Sequence, residues 1–201
     1  MSGIEKEQRH RDRMQRKKAV IDASIADADQ NQGLLLVLTG NGKGKSSSAF
    51  GMVARALGHN MKVGVAQFIK GRSDTGEEVF FARQPDVTWH VLGEGFTWET
   101  QNLAQDIETA RRGWAVVQGM LQDPSIDLIV LDELTYPVKY GWLELDTILD
   151  DLKARPPMQH VVITGRGASK ALCDMADTVT ELVDSKHAFR AGISAQKGVD
   201  L

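Results

Sequence analysis

Residues 39–47 read Thr-Gly-Asn-Gly-Lys-Gly-Lys-Ser-Ser, and no other run constrains this chain as strongly. The run follows a short unbroken apolar stretch, Leu34-Leu35-Leu36-Val37-Leu38, and precedes a helical pattern from Ser46 to Leu57 that Gly58 stops. Strand, glycine-rich turn and helix in that order make a phosphate cradle. Glycines let the backbone turn so that successive N–H groups point inward. The helix adds the positive end of its dipole. On this reading Gly40, Asn41, Gly42, Lys43, Gly44, Lys45, Ser46 and Ser47 wrap the phosphates of ATP. Lys45 brings a full charge, and Ser46 offers a hydroxyl to Mg2+ (or Mn2+). Gly40-x-x-x-Gly44-Lys45-Ser46 is one residue shorter than the usual G-x-x-x-x-G-K-[ST], with Thr39 where the first glycine would stand. Triphosphate binding is still expected, but ordinary γ-phosphoryl transfer follows from the loop less directly.

Beyond the loop, apolar runs alternate with helical patterns. Lys62–Phe68, Val87–Val91, Asp127–Leu131, His160–Thr164 and Thr178–Leu182 read as further strands. Thr75-Gly76-Glu77-Glu78 resembles a capping box that opens a short helix through Ala82. A long helix is predicted from Gln101 to Leu121, with the stripe Leu103, Ile107, Ala110, Trp114, Val117 and Leu121 facing the core. Leu143–Lys153 and Ser169–Ala176 read as two more helices. The alternation predicts an α/β fold of the P-loop NTPase (RecA-like) class, a mostly parallel six-stranded sheet flanked by helices. Residues 1–32 read as a basic helical arm and residues 33–201 as the P-loop domain. From Glu5 to Lys18 the arm carries seven basic and three acidic residues, a net of about +4. It is either a solvated helix or a mobile cover over something anionic.

The remaining charge is unremarkable. The whole chain carries −3 at pH 7, so no general basic field points to nucleic acid or a membrane surface. Cys173 is the sole cysteine and cannot form an internal disulfide, which suits a reducing compartment. No apolar run approaches the roughly 20 residues needed to span a bilayer. With no secretion signal visible at the charged N-terminus, a cytoplasmic location is expected.

Two other segments carry candidate chemistry. Asp132-Glu133 ends the run Asp-Leu-Ile-Val-Leu, and a carboxylate at the end of a strand beside the phosphate-loop strand can hold Mg2+ directly or through water. The pattern does not distinguish which of the two does so. Phe96 and Trp98 lie in a glycine-flanked loop after the third strand. They either plug the core or form an apolar wedge against a large flat ligand at the ligand-binding end of the sheet.

Taken together, Gly-Asn-Gly-Lys-Gly-Lys-Ser-Ser-Ser-Ala-Phe-Gly (40–51), Gly-Phe-Thr-Trp-Glu-Thr-Gln-Asn (95–102), Leu-Ile-Val-Leu-Asp-Glu-Leu-Thr-Tyr (128–136), Ile-Thr-Gly-Arg-Gly-Ala (163–168) and Lys-His-Ala-Phe-Arg-Ala-Gly-Ile-Ser-Ala-Gln-Lys-Gly (186–198) resemble the ATP:corrinoid adenosyltransferases of the BtuR/CobO type. The resemblance runs from about residue 34 to residue 201, and the short phosphate loop is that family's form. It implies transfer of the 5′-deoxyadenosyl group of ATP to the Co(I) of a corrinoid, with tripolyphosphate leaving and the nucleotide lying reversed in the loop. It further implies Lys45 as a catalytic charge, Phe96 and Trp98 as the pair that displaces the lower ligand of cobalt, and Glu133 with Ser46 at the metal. Arg55 is implied near the nucleotide, and Arg166 near nucleotide or corrin. A homodimer and a reduced flavoprotein as electron donor complete the expectation. Whether complete cobalamin or an a,c-diamide precursor is the substrate stays open. A small-molecule kinase or NTPase using the same Mg2+ and Lys45 is the alternative enzyme. A nucleic-acid-binding ATPase fits the negative net charge poorly.

Overall fold

The computed structural model describes residues 3–69, 75–93 and 103–200. These fall into two units, residues 1–32 and 33–201. The first unit is essentially one helix, α1 (Gly3–Asp27), along which Arg11–Glu7 and Lys18–Asp22 pair at i,i+4 spacing. Such pairs add a few tenths of a kcal/mol each to an otherwise polar helix.

The second unit alternates strand and helix. In chain order it runs β1 (Leu35–Thr39), α2 (Lys45–Leu57), β2 (Val63–Gln67), α3 (Gly76–Phe81), β3 (Val87–Val91), α4 (Leu103–Gln122), β4 (Leu128–Asp132), α5 (Thr135–Lys139), α6 (Leu145–Ala154), β5 (His160–Thr164), α7 (Lys170–Met175) and β6 (Thr178–Glu181). A single 3-10 turn, Ala188–Ala191, follows. The six strands form one sheet in the order β3-β2-β4-β5-β1-β6. Every pairing is parallel, so the sheet is wholly rather than mostly so.

Parallel neighbours need crossovers, and the crossover helices cover both faces of the sheet. Alternate residues of each central strand therefore go to different cores. Ile129, Leu131, Val161 and Ile163 pack with Ala110, Trp114, Val117 and Leu121 of α4 and with Ile148 and Leu152 of α6. Leu128, Val130 and Val162 pack with Ala49, Phe50 and Val53 of α2 and with Phe81 of α3. The Trp114 Nε1–H donates to Asp151 Oδ2 at 2.7 Å, which ties α4 to α6 across the surface of the first core. The predicted stripe of α4 is buried from Ala110 onward, but Leu103 in the first turn is 62% exposed.

Two other expectations change, and one further element is present. Thr75 precedes α3, but its side chain makes no cap hydrogen bond, so the Thr75 half of the expected capping box is not formed. Asp132 and Glu133 do not end a strand beside β1. β5 lies between β1 and β4, paired with both. Finally α5, unmarked in the sequence, turns directly out of the Asp132-Glu133 corner.

Candidate active site

In an open parallel sheet the crevice beyond the carboxyl ends of the strands is where ligands bind. Here the ends of β1, β5 and β4 bring three loops to one edge. Residues 40–44 follow β1, Gly40 and Gly44 taking φ of 96° and 108°. Only glycine adopts such angles freely. Gly40 also lies so close to the segment after β6 that a Cβ there would come within 2.4 Å of the Leu182 carbonyl oxygen. The Gly42 N–H donates to that same oxygen at 2.7 Å, strapping the loop to the edge strand.

α2 begins at Lys45, so the unpaired N–H groups of its first turn face the loop. Lys45 is buried, 6% exposed, and its Nζ donates to the Gly42 carbonyl at 2.7 Å. Burial lowers its pKa, and the nearby Glu133 carboxylate works against that effect. Lys43, Lys45, Ser46, Glu133, Tyr136 and Arg166 all line one cavity of about 390 Å3, together with Gly42, Gly44 and Ser47 of the loop.

The two acids at the end of β4 have separate roles. Asp132 is buried and both its oxygens are engaged: Oδ1 accepts from the Thr164 hydroxyl at 2.7 Å and Oδ2 from Gln67 Nε2 at 3.1 Å. It locks β4 to β5 and β2. Glu133 stands in a left-handed conformation, φ 59°, that non-glycine residues rarely adopt. Its N–H donates to Thr164 Oγ1 at 3.0 Å, which holds the turn. Its Oε2 is buried and has no hydrogen-bond partner among the described residues. Burial first, and the Asp132 charge second, raise the Glu133 pKa to about 7, with Lys45 and Arg166 opposing both.

Arg166 sits between Gly165 and Gly167, both at positive φ. The Thr135 hydroxyl donates to the Arg166 carbonyl at 3.0 Å. A Cβ on Gly165 would lie 2.0 Å from that hydroxyl oxygen, so the close approach of α5 requires the glycine.

Of the residues singled out in the sequence, the structure brings Gly42, Lys43, Gly44, Lys45, Ser46, Ser47, Glu133 and Arg166 to one cavity. Asn41 instead lines a neighbouring chamber of about 360 Å3 with Arg166, Asp184, His187, Phe189 and Arg190. Arg55 is exposed in the last turn of α2, ten residues beyond Lys45 and therefore about 15 Å along the helix. Phe96 and Trp98 lie outside the described residues. Three contributors went unrecognised: Tyr136, the Thr164 bridge between the acids, and Asp200, which pairs with Lys43. Tyr136 stands in the Leu-Thr-Tyr that follows the acids and was within reach of the pattern. The other two depend on contacts between residues distant in sequence.

Loop, sheet and acid define a P-loop α/β protein with a cavity at the strand ends, lined by the loop, Lys45, Arg166 and Glu133. Residues 31–201 match the family described as ATP:corrinoid adenosyltransferase BtuR/CobO/CobP. Residues 1–25 match cob(I)alamin adenosyltransferase N terminal. The chain is 63% identical to a corrinoid adenosyltransferase of Pseudomonas aeruginosa, over 98% of this chain and 97% of that one. It is 47% identical to corrinoid adenosyltransferase CobA of Salmonella typhimurium, over 96% and 98% of the respective chains. A corrinoid adenosyltransferase of Escherichia coli is 46% identical over the same shares. The chain belongs to the ATP:corrinoid adenosyltransferase family, and it is an enzyme of the class that adenosylates corrinoids.

Proposed function

We propose that this enzyme transfers the 5′-deoxyadenosyl group of ATP to the Co(I) of a corrinoid, releasing tripolyphosphate, in cobalamin biosynthesis or salvage. The Co(I) electron pair attacks C5′, the C5′–O5′ bond breaks, and its electrons leave on the triphosphate oxygen. Cobalt is oxidised from I to III as the Co–C bond forms.

The observation that carries this reading is the convergence on one cavity of the buried Lys45, the start of α2, Arg166 and an unpartnered Glu133 oxygen. Donors fixed where negative charge develops stabilise a transition state without reorganising. Lys45 and the loop N–H groups hold the phosphates, and Arg166 adds a second charge across the cavity. The Glu133 carboxylate and the Ser46 hydroxyl are hard oxygen donors lining one space, which suits Mg2+ or Mn2+ completed by phosphates and water. Among the described residues no group of three His, Cys, Asp or Glu is placed to hold a metal ion, and an ion held by Glu133 and Ser46 would take the rest of its shell from phosphate or water. When bound, such an ion neutralises charge on the departing triphosphate.

Asn41 and Arg55 belong to this reading as further nucleotide contacts, and Phe96 and Trp98 as the wedge that removes the lower cobalt ligand. An apolar pair offers no replacement donor and excludes water, which makes the cobalt easier to reduce. The reading also includes a cytoplasmic setting, a homodimer and a reduced flavoprotein as electron source. Among the described residues no helix is long and apolar enough to cross a membrane.

With chemically reduced corrinoid and MgATP, phosphorus NMR is expected to find tripolyphosphate and the visible spectrum an adenosylcorrinoid. ADP with free phosphate as the products would overturn the reaction. Comparing complete cobalamin with an a,c-diamide in that assay identifies the preferred substrate. The Phe96→Ala/Trp98→Ala double variant is expected to lose about 10²-fold in rate on Co(II) substrate with a reductase, while keeping most of its rate on pre-reduced Co(I). Equal losses on the two substrates would remove the wedge from the mechanism.

A further inference from the structure

The segment after the 3-10 turn returns to the phosphate loop. Val199 and Asp200 line the same cavity as Lys45, Glu133 and Arg166. Asp200 is held by its own turn: its N–H donates to the Gln196 carbonyl at 2.8 Å, and its Oδ2 accepts from the Gln196 N–H at 3.1 Å. Gly198, at φ 78°, allows that turn to close. The remaining oxygen, Oδ1, forms an ion pair with Lys43 Nζ. Hydrogen bonding from Lys43 is the chief cause that lowers the Asp200 pKa, so the group is an anion at working pH. The phosphate loop thus has a carboxylate of its own chain on one of its two lysines.

An anion on a loop lysine is in competition with any phosphate that enters. Among the described residues, Lys43, Lys45 and Arg166 line this cavity together with the carboxyl groups of Glu77, Glu133 and Asp200. Asp200 is the carboxylate that meets a loop lysine directly. We propose that Asp200 is a positioning residue that competes with the phosphate chain for Lys43, limiting the affinity of the loop for inorganic tripolyphosphate and promoting its departure after transfer. This rests on the reading that the loop takes a triphosphate. Tripolyphosphate carries more negative charge than the esterified chain of ATP, so a fixed carboxylate discriminates against the product more than against the substrate.

Calorimetric titration of the full chain with inorganic tripolyphosphate tests this without any turnover. Asp200→Asn is expected to tighten binding about fivefold, the size of a well-formed, partly exposed ion pair. The gain should shrink at 0.5 M salt, as screening demands. In a Lys43→Ala background the same substitution should change affinity by less than about 1.5-fold, since coupling through Lys43 is what the cycle isolates. Asp150→Asn, on an exposed carboxylate of α6, controls for net charge and is expected to have no effect. Unchanged or weakened binding in Asp200→Asn would overturn the proposal, as would a fivefold gain that persists without Lys43 or appears in the control. Those results leave the reaction itself standing. Failure of both the unmodified chain and Asp200→Asn to bind tripolyphosphate would overturn the proposal together with the reading of the loop as a triphosphate site.

Discussion

Lys45→Ala is expected to lower kcat and kcat/KM together by about 10²–10³, the usual loss when one fixed donor to a developing anion is removed. The size follows from the environment of Lys45. Its ammonium is buried in the wall of the cavity beside the loop, and it donates to the Gly42 carbonyl at 2.7 Å. It is therefore presented to a ligand at little reorganisation cost. In the proposed reaction its attraction for the leaving triphosphate strengthens as the C5′–O5′ bond breaks and charge accumulates, so the effect is expected on the chemical step. Lys45→Arg is expected to rescue little, because the planar guanidinium is bulkier and cannot reproduce a compact charge inside so tight a loop. Single-turnover kinetics on pre-reduced corrinoid check the result, with thermal unfolding to confirm that the variant is folded. A rate within threefold of the unmodified enzyme would remove Lys45 from catalysis.

Glu133→Gln is expected to act in opposite directions on stability and activity. The folded-state pKa of Glu133 is about 7, against an ordinary value of 4.5. The folded protein thus binds this proton more tightly than the unfolded chain does. Below pH 4.5 the carboxyl is neutral in both states and costs nothing. Between pH 4.5 and about 7 the unfolded chain ionises first, and the folded state loses stability as pH rises. Above pH 7 the penalty is complete, on the order of 1–3 kcal/mol once the partial exposure of the group is allowed for. Removing the charge should therefore raise the Tm of the ligand-free protein at pH 8 by several degrees and leave it almost unchanged at pH 4.5. Mg2+-dependent turnover should fall by about 10²-fold or more, since a neutral amide is a poor ligand for a hard cation. Equal Tm values at pH 8 would show that Glu133 stores no such penalty, and full activity of the variant would show that it does not serve the metal. The left-handed backbone at Glu133 adds to the cost of holding the carboxylate there, as is common where a site is organised for a ligand.

β1, β4 and β5 were legible because each carries a short apolar run, as burial on both faces requires. Val87–Val91 and His160–Thr164 match β3 and β5 residue for residue. α5 was not legible. Five residues with Pro137 among them are too few to display a helical period, and Pro is tolerated there because it lies within the first turn. The helix exists because it turns out of the acid corner and bonds through Thr135 to the loop after β5. The capping box at Thr75 had the right residues, but its side-chain hydrogen bond is not made. A local motif is a preference that the surrounding geometry can override.

What the sequence determined by itself was the phosphate loop, the alternation of strand and helix, and the motifs that mark the family. These are local in the chain: glycine spacing, apolar run length, and short runs in a set order. Tertiary structure alone decided which acid faces the cavity. Asp132 and Glu133 are neighbours, and their separation depends on Thr164 and Gln67, which lie 32 and 65 residues away. It also decided that β5 separates the acid strand from the loop strand, that Asn41 and Arg55 lie off the main cavity, and that Asp200 returns to Lys43. Each depends on strand order and on which groups are left unpaired once the cores have closed, and contacts across such distances leave no mark in the local pattern.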